Sequence, residues 1–320
     1  MENIKEFANE LSSEIMRMLP DDVTKDMTIE HAEVTKMNDQ ILYGLSFRRE
    51  GESAAPTVYV NEAFEDHMNG KPIELISGEL VQVYLDSVAS RTDLIPQELD
   101  FGNIKDGLTI RLVEIKRNRQ FLSGVPYMPV GNGLAAVCDV KIREDEEGYW
   151  RTTLNREFVA SWNFDVNELF AIAMENAPNV DPPRLLTIKD QIFGGPGMNY
   201  LETGRIGEED KAPMYVLSNK SSMLGAAALF YPGVQERIAD NLGEGYYALP
   251  SSVHEFLIVP KSLAPDPKEL SDMVVGVNRS MVDPKDVLSD NILIYDKEEK
   301  RLTKAMPDAE RSERHGEARC

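Results

Sequence analysis

The chain has 320 residues and a formal net charge of −21, with 42% hydrophobic and 28% charged residues. This length and composition allow a sizeable core, which excludes an intrinsically disordered protein and favours two domains. The longest wholly apolar run, residues 226–231, has six residues, whereas a membrane-spanning helix needs about 20. Because a strongly negative protein repels nucleic acid and anionic lipid, we expect neither a nucleic-acid ligand nor a membrane partner.

The first part of the chain predicts an N-terminal α+β lobe over residues 1–125. Apolar residues at spacings of three and four predict a helix over residues 4–19, which ends at Pro20. Two runs of alternating apolar and polar residues, separated by a polar turn at Asn38 and Asp39, predict a β-hairpin. The remaining predicted elements are a strand over residues 56–60, a short helix capped by Asn61, a longer helix that begins at Pro72, and a strand over residues 108–115.

The second part predicts a C-terminal α+β lobe over residues 126–296. Predicted strands cover residues 134–140, 149–154, 214–217, 226–231, 246–249, 253–259 and 292–295. Predicted helices begin after Asp165 and cover residues 234–242 and 270–277. Helices and hairpins that alternate irregularly favour an α+β fold of mixed, mostly antiparallel sheet over a doubly wound parallel sheet. Residues 297–320 are charged and poor in apolar side chains, so we predict a disordered tail.

The sequence contains few residues of the types that bind metals, and it lacks common cofactor-binding motifs. Two cysteines and four histidines are too few for a dense zinc-ligand cluster, so we expect no metal. The phosphate-loop pattern and the nucleophile elbow are absent, so we expect no cofactor. Cys138 lies in an apolar run and is interpreted as a core residue, while Cys320 ends the chain. Low cysteine content and a start without signal-peptide features favour the cytoplasm.

One polar cluster, Pro250-Ser251-Ser252-Val253-His254-Glu255, lies between two apolar segments. Its hydroxyls, imidazole and carboxylate suit a nucleophile, a base and an orienting acid, so Ser252, His254 and Glu255 are candidate catalytic residues of a hydrolase. On a strand, Ser252 and His254 share one face while Glu255 takes the other, which disfavours a purely local triad. The alternative interpretation is a structural turn, in which these side chains satisfy buried backbone groups and His254 holds a loop.

Four phrases of the sequence together resemble a known protein family. The phrases are PTVYVNEAF (56–64), PMYVLSNKSSMLGAAALFYPGV (213–234), YYALPSSVHEFLIVP (246–260) and VNRSMVDPKDVLSDNILIYD (277–296), with LPSSVHE and VLSDN the most specific. They are similar to a bacterial family of unknown function that is common in gut Firmicutes, phages and mobile elements. The resemblance implies a bacterial or phage protein of the cytoplasm. It transfers no functional residue, because the family has no agreed activity.

The sequence leaves three functional hypotheses. An incomplete catalytic pattern and an acidic surface favour a non-enzymatic binding or accessory protein that contacts a protein partner, for which a basic protein is suited. The alternative is a hydrolase centred on Ser252, His254 and Glu255. A weaker alternative is an acidic anti-defence protein of a mobile element, which would need carboxylates in regular rows on one face to mimic nucleic acid.

Overall fold

The computed structural model describes residues 3–49, 57–89, 101–145, 148–162, 164–193, 198–207 and 211–306. The chain divides into two compact units, Met1–Leu99 and Asp100–Cys320. Both units combine helices with antiparallel sheets, so the predicted α+β fold is confirmed. Among the described residues, no helix is both long enough and apolar enough to cross a lipid bilayer.

The first unit packs helices on a three-stranded antiparallel sheet of order β1-β2-β3. Its strands are β1 (Met27–Thr35), β2 (Ile41–Arg49) and β3 (Thr57–Tyr59), and its helices are α1 (Ile4–Met18), α2 (Asp21–Thr24), α3 (Asn61–Met68) and α4 (Ile73–Ala89). Helix α1 begins where Asn3 Oδ1 accepts hydrogen bonds from two backbone N–H groups, both at 3.0 Å, and it buries Phe7, Leu11 and Ile15. These side chains join the strand and α4 residues in one apolar core.

The side chain of Asn61 has a different role from the predicted helix cap. Its Oδ1 accepts the N–H of Tyr43 at 2.8 Å, and its Nδ2 donates to the carbonyl of Ile41 at 3.4 Å. A side-chain amide carries the same donor and acceptor as a peptide group. Asn61 therefore extends the pairing along β2 beyond the end of β3.

His31 links β1 to α1 through its ring. Its Nε2 lies 2.9 Å from Ser12 Oγ and its Nδ1 lies 3.3 Å from the hydroxyl of Tyr43, while Ser12 Oγ donates to the carbonyl of Ala8 at 2.7 Å. Burial lowers the pKa of His31 below its ordinary value of 6.5, because the charged imidazolium loses hydration.

This shift predicts that His31 makes the first unit less stable in acid. Below pH 6.5 the unfolded chain binds a proton at His31 more readily than the folded chain does, so the free energy of unfolding falls as the pH falls. We expect His31→Asn to reduce this pH dependence. The measurement is hydrogen–deuterium exchange of peptides from α1 and β1 above and below pH 6.5. Equal pH dependence in the variant and the natural chain would contradict the prediction.

The second unit begins with a four-stranded antiparallel sheet built around one long strand. The strands are β4 (Leu108–Glu114), β5 (Tyr127–Gly131), β6 (Leu134–Asp145) and β7 (Gly148–Thr153). Strand β6 pairs with β4 on one side and with β5 and β7 on the other. Because β4 precedes residue 125 and pairs with a strand that follows it, the structure places the boundary near residue 99 and not at the predicted residue 125.

Helices surround these strands and connect them to the second sheet. They are α5 (Phe101–Ile104), α6 (Phe121–Gly124), α7 (Arg156–Ser161), α8 (Val166–Val180), α9 (Ile188–Phe193), α10 (Tyr200–Thr203), α11 (Val234–Leu242) and α12 (Pro267–Ser280). Asp165 caps α8 as predicted, since its Oδ1 accepts the N–H of Asn167 at 2.9 Å. Cys138 is fully buried in β6, and burial raises the pKa of its thiol, so it is the predicted core residue.

The second sheet has six strands in the order β13-β12-β10-β11-β9-β8, and all neighbours are antiparallel. The strands are β8 (Pro183–Thr187), β9 (Tyr215–Asn219), β10 (Tyr246–Ser252), β11 (Glu255–Pro260), β12 (Leu293–Asp296) and β13 (Arg301–Lys304). The predicted strand over residues 226–231 is instead part of a buried 3-10 helix, Gly225–Phe230. Periodicity does not separate a short buried helix from a short buried strand, and this run is apolar throughout.

The β8 edge of this sheet is covered by one asparagine. Asn199 Oδ1 accepts the N–H of Leu185 at 3.0 Å, and its Nδ2 donates to the carbonyl of Pro183 at 3.1 Å. The amide thus occupies the position that another strand would take, as Asn61 does on β2. Exposed edges invite pairing with other chains, and a covered edge is closed to it.

The segment after residue 300 differs from the predicted disordered tail. Strand β13 pairs with β12 over its whole length, the N–H of Ala305 donates to the carbonyl of Ile292 at 3.0 Å, and Ala305 packs against an apolar cluster. Residues 307–320, which the tail prediction also covers, lie outside the described residues.

We predict that a chain ending at Lys300 is less stable than one ending at Met306. The shorter chain loses the β12–β13 hydrogen bonds and the packing of Ala305, a loss of about 1–3 kcal/mol in the free energy of unfolding. Each kcal/mol lowers the melting temperature by about 2–4 °C in a protein of this size. Thermal unfolding of the two chains side by side tests the prediction, and equal melting temperatures would contradict it.

Candidate functional site

The predicted polar cluster forms the tip of the β10–β11 hairpin. Val253 and His254 are the two turn residues, because Ser252 pairs with Glu255 across the ladder. Ser252 Oγ accepts the N–H of His254 at 3.0 Å, a local bond that favours serine in turns. The ladder shifts register between Pro250 and Ser252, which suits a proline because it has no N–H to donate.

Two other loops hold this tip in place. Ser218 Oγ donates to the carbonyl of His254 at 2.8 Å, and the N–H of Ala226 donates to the carbonyl of Val253 at 3.3 Å. From the opposite loop, the carbonyl of Asp286 accepts the N–H of Val253 at 2.8 Å. The tip therefore cannot move without breaking bonds to both the loop after β9 and the loop before β12.

Gly225 permits this close packing because it has no side chain. A Cβ at this position would lie 2.2 Å from Ser218 Oγ and 2.7 Å from the carbonyl oxygen of His254. Both contacts are far shorter than van der Waals distances, so any other residue would displace the tip.

The imidazole of His254 has a polar neighbour at each ring nitrogen. Nδ1 accepts the N–H of Leu224 at 3.0 Å, and Nε2 lies 3.5 Å from Oδ1 of Asp286. Because Nδ1 is an acceptor, the proton of the neutral ring is on Nε2 and faces the carboxylate. The side chains of His254 and Asp286 are 28% and 29% exposed, so this pair is partly open to solvent, and the bond from Leu224 holds the ring.

The structure brings the candidate catalytic residues into one hairpin without joining them into a relay. Ser251 Oγ donates to Glu255 Oε1 at 3.1 Å, and Ser252 Oγ bonds the backbone of His254 rather than its ring. A general base must be within hydrogen-bond reach of the proton that it removes. The hydrolase interpretation therefore requires Nδ1 of His254 to give up the N–H of Leu224, and it stays a prediction.

The turn after β9 presents an exposed methionine on an unusual backbone. Ser222 and Leu224 have φ angles of 57° and 55°, in the left-handed region that costs a non-glycine residue about 1–2 kcal/mol. Asn219 Nδ2 donates to the carbonyl of Met223 at 2.8 Å and holds the turn. Between the two left-handed residues, Met223 is 48% exposed. Strained backbone that the surroundings preserve is typical of functional sites.

A buried ion network anchors the same turn from the interior. Asp181 accepts the N–H and the Oγ–H of Ser221 at 3.1 and 2.6 Å, and it lies 3.3 Å from Arg151 Nη2. Arg151 also lies 3.8 Å from Asp139, which accepts two bonds of 2.7 Å from Arg111. We refer to Arg111, Asp139, Arg151 and Asp181 as the buried ion network.

A second polar network holds the loop before β12. Glu114 is nearly buried and accepts hydrogen bonds from Ser289 Oγ at 2.8 Å and from Asn291 Nδ2 at 3.3 Å. Arg117 lies 3.0 Å from Glu114 Oε2 and 2.7 Å from Asp290 Oδ2. The phrase VLSDN is thus the segment that fastens this loop to the end of β4.

The sequence indicated the hairpin tip but not its partners. Asn219, Met223 and Asp286 all lie in phrases that carried the family resemblance, although residue type alone gave them no role. The contacts of His254 with Leu224 and Asp286 join segments 30 or more residues apart, so local patterns do not report them. In the parts of the chain that the structure describes, no group of three or more His, Cys, Asp or Glu residues is arranged to hold a metal ion.

We predict that His254 contributes to stability mainly through Leu224. Removing one partner of a partly buried hydrogen bond costs about 1–3 kcal/mol, so His254→Ala should lower the free energy of unfolding by that amount. His254→Asn should lose less than His254→Gln, since the asparagine amide can reach the position of Nδ1 and the glutamine amide that of Nε2. Chemical denaturation of the three variants and of Ser252→Ala measures this. An unchanged free energy of unfolding in His254→Ala would rule out the structural role.

Comparison with known proteins adds one finding. The model of a protein family described as a family of unknown function (DUF5688) matches residues 4–297. No curated protein matches the chain, and no solved structure does. The match confirms the resemblance to a family of unknown function and covers the tip, both networks and most of each unit.

Proposed function

The chain belongs to the DUF5688 family of unknown function, and we propose that it is a non-enzymatic binding or accessory protein that acts in the cytoplasm through contacts with another protein. The surface that we assign to this role, the hairpin-tip surface, consists of Met223, Ser252, His254, Glu255 and Asp286. The observation that carries the proposal is that Nδ1 of His254 accepts the N–H of Leu224, which fixes the ring with Nε2 facing the carboxylate of Asp286 at 3.5 Å. The imidazole thus supports a rigid surface.

The composition of the hairpin-tip surface suits a protein partner. Met223 offers an exposed, adaptable apolar side chain on a turn that is fixed by Asn219, and methionine is common at binding surfaces. A surface that is already ordered loses little conformational entropy when it binds. The rigid turn therefore favours association at this place.

The charge of this surface favours a basic partner. Glu255 and Asp286 are partly exposed carboxylates at the tip, and the whole chain carries a net charge of −21. Complementary charge speeds association and excludes other acidic proteins. We propose that the partner has a basic surface, as nucleic-acid-binding proteins do.

The test compares two methionine variants with the same change in charge. Met223→Glu alters the hairpin-tip surface, whereas Met68→Glu alters an equally exposed methionine in the first unit, 57% exposed against 48%. Proteins captured from the source cells at low salt by the natural chain are identified by mass spectrometry, purified and titrated against all three chains. We expect Met223→Glu to weaken binding by about 30-fold or more, the effect of a hot-spot residue, and Met68→Glu to bind like the natural chain.

Two outcomes would reject the proposal. One is that no captured protein binds the natural chain directly when both are pure. The other is that Met223→Glu and Met68→Glu bind the purified partner with the affinity of the natural chain. Circular dichroism of both variants establishes first that they are folded.

A hydrolase is the second candidate, and the observation in its favour is the imidazole–carboxylate pair of His254 and Asp286 at the surface. Such a pair can support general-base catalysis once a nucleophile reaches the ring. Hydrolysis of activated esters by the natural chain and by Ser252→Ala tests it. Equal rates in the two proteins would exclude Ser252 as the nucleophile.

A further inference from the structure

We propose that Asn132 is a site of spontaneous deamidation, and that its conversion to a carboxylate loosens strand β13 at the edge of the six-stranded sheet. The inference concerns a covalent modification and is independent of the proposed binding function. It starts from the contact that Asn132 makes with a strand 170 residues later in the chain.

Asn132 covers the outer edge of β13. Its Nδ2 donates to the carbonyl of Leu302 at 3.2 Å. The N–H of Ala305 donates to the carbonyl of Ile292, the residue before β12. Since hydrogen-bonded and non-bonded pairs alternate along an antiparallel ladder, the pair of Tyr295 and Leu302 is non-bonded, and the backbone groups of Leu302 point away from β12. The amide of Asn132 therefore replaces a missing neighbouring strand.

The residue that follows Asn132 makes its amide chemically labile. The backbone nitrogen of Gly133 can attack Cγ of Asn132, because glycine has no side chain to hinder the approach. A bond forms between this nitrogen and Cγ, the bond from Cγ to Nδ2 breaks, and ammonia leaves with the proton of the attacking nitrogen. Water then opens the cyclic imide to aspartate or isoaspartate, so atoms balance with water as the only co-reactant.

The structure distinguishes Asn132 from other asparagines in related positions. Asn61 and Asn199 also cover strand edges, but Glu62 and Tyr200 follow them. The other Asn-Gly pair is Asn69-Gly70, where the N–H of Gly70 donates to the carbonyl of His67 at 2.8 Å, which restrains the attacking nitrogen.

Within the described residues, by contrast, the N–H of Gly133 donates no hydrogen bond. Among these asparagines, Asn132 therefore both bonds the edge of a strand and precedes a glycine whose backbone nitrogen donates no hydrogen bond.

The product cannot perform the role of the amide. A carboxylate has no proton to donate, so two negative oxygens would face the carbonyl of Leu302, and the contact would become repulsive. Isoaspartate would also lengthen the backbone by one methylene in a turn where Asn132 and Gly133 have φ angles of 57° and 83°. Strand β13 would then keep only its pairing with β12.

The experiment follows deamidation and the exchange of β13 in the same full-length sample. The purified protein is incubated at mildly alkaline pH, and peptides that contain Asn132 and Asn69 are monitored by mass spectrometry for the amide-to-acid mass change. Denatured protein under the same conditions sets the time over which Asn132 converts without a fold. Hydrogen–deuterium exchange of residues 301–306 is measured on the starting and converted protein.

We expect Asn132 to convert several-fold faster than Asn69 in the folded protein, and residues 301–306 to exchange several-fold faster after conversion. Asn132→Asp, which resembles the product, should show the fast exchange from the start. Asn132→Gln, which keeps a donor and forms the imide slowly, should show neither effect to the same degree.

Two results would overturn the inference. In the first, Asn132 remains an amide in the folded protein over the time in which denatured protein converts it. In the second, Asn132 converts, or Asn132→Asp is folded, while the exchange of residues 301–306 stays that of the natural chain.

Discussion

The four charged groups of the buried ion network set the arrangement of the second unit. Asp139 and Asp181 are 0% and 2% exposed, and a carboxylate tolerates such burial only when cations and hydrogen-bond donors surround it. Arg111 on β4 pairs with Asp139 on β6, and Arg151 on β7 joins that strand to Asp181 at the end of α8. Loss of one partner from a buried pair costs about 3–5 kcal/mol. The network therefore allows one arrangement of these elements and penalises others.

The hairpin-tip surface inherits its shape from that network. Asp181 binds Ser221, the turn that contains Ser221 places the N–H of Leu224, and this N–H orients the ring of His254. Asp286 approaches the ring from a loop that Glu114 holds on the opposite side. The positions of the side chains at the surface therefore depend on polar groups that are buried deeper. This is why the tip can be rigid although two of its supporting residues have a strained backbone.

The sequence predicts the elements that have a local pattern. It does not predict a conformation that depends on contacts with residues far away in the chain. Spacing and a proline place α1 correctly, and alternation places the β1–β2 hairpin. Asparagine is a typical helix-capping residue, yet the side-chain amide of Asn61 bonds the backbone of strand β2. Residues 226–230 are apolar enough for a strand, but they form a 3-10 helix that packs beside the hairpin tip. Three of the four residues 301–304 are polar, yet the segment forms a strand because it pairs with β12. At the site, residue types identified His254, while its partners came from loops about 30 residues away.

The strand order of the six-stranded sheet has a consequence for how the protein is made. Strand β9 pairs with β11 and not with β10, so β10 lies between β11 and β12. As the chain leaves the ribosome, residues up to 260 are enough to form β8, β9, β10 and β11. The edge of β10 at Tyr246–Ala248 stays unpaired until residues 293–295 of β12 have been made. During that interval a nascent chain carries an apolar open edge of the kind that promotes aggregation. Protection of this edge therefore depends on translation of residues 293–295.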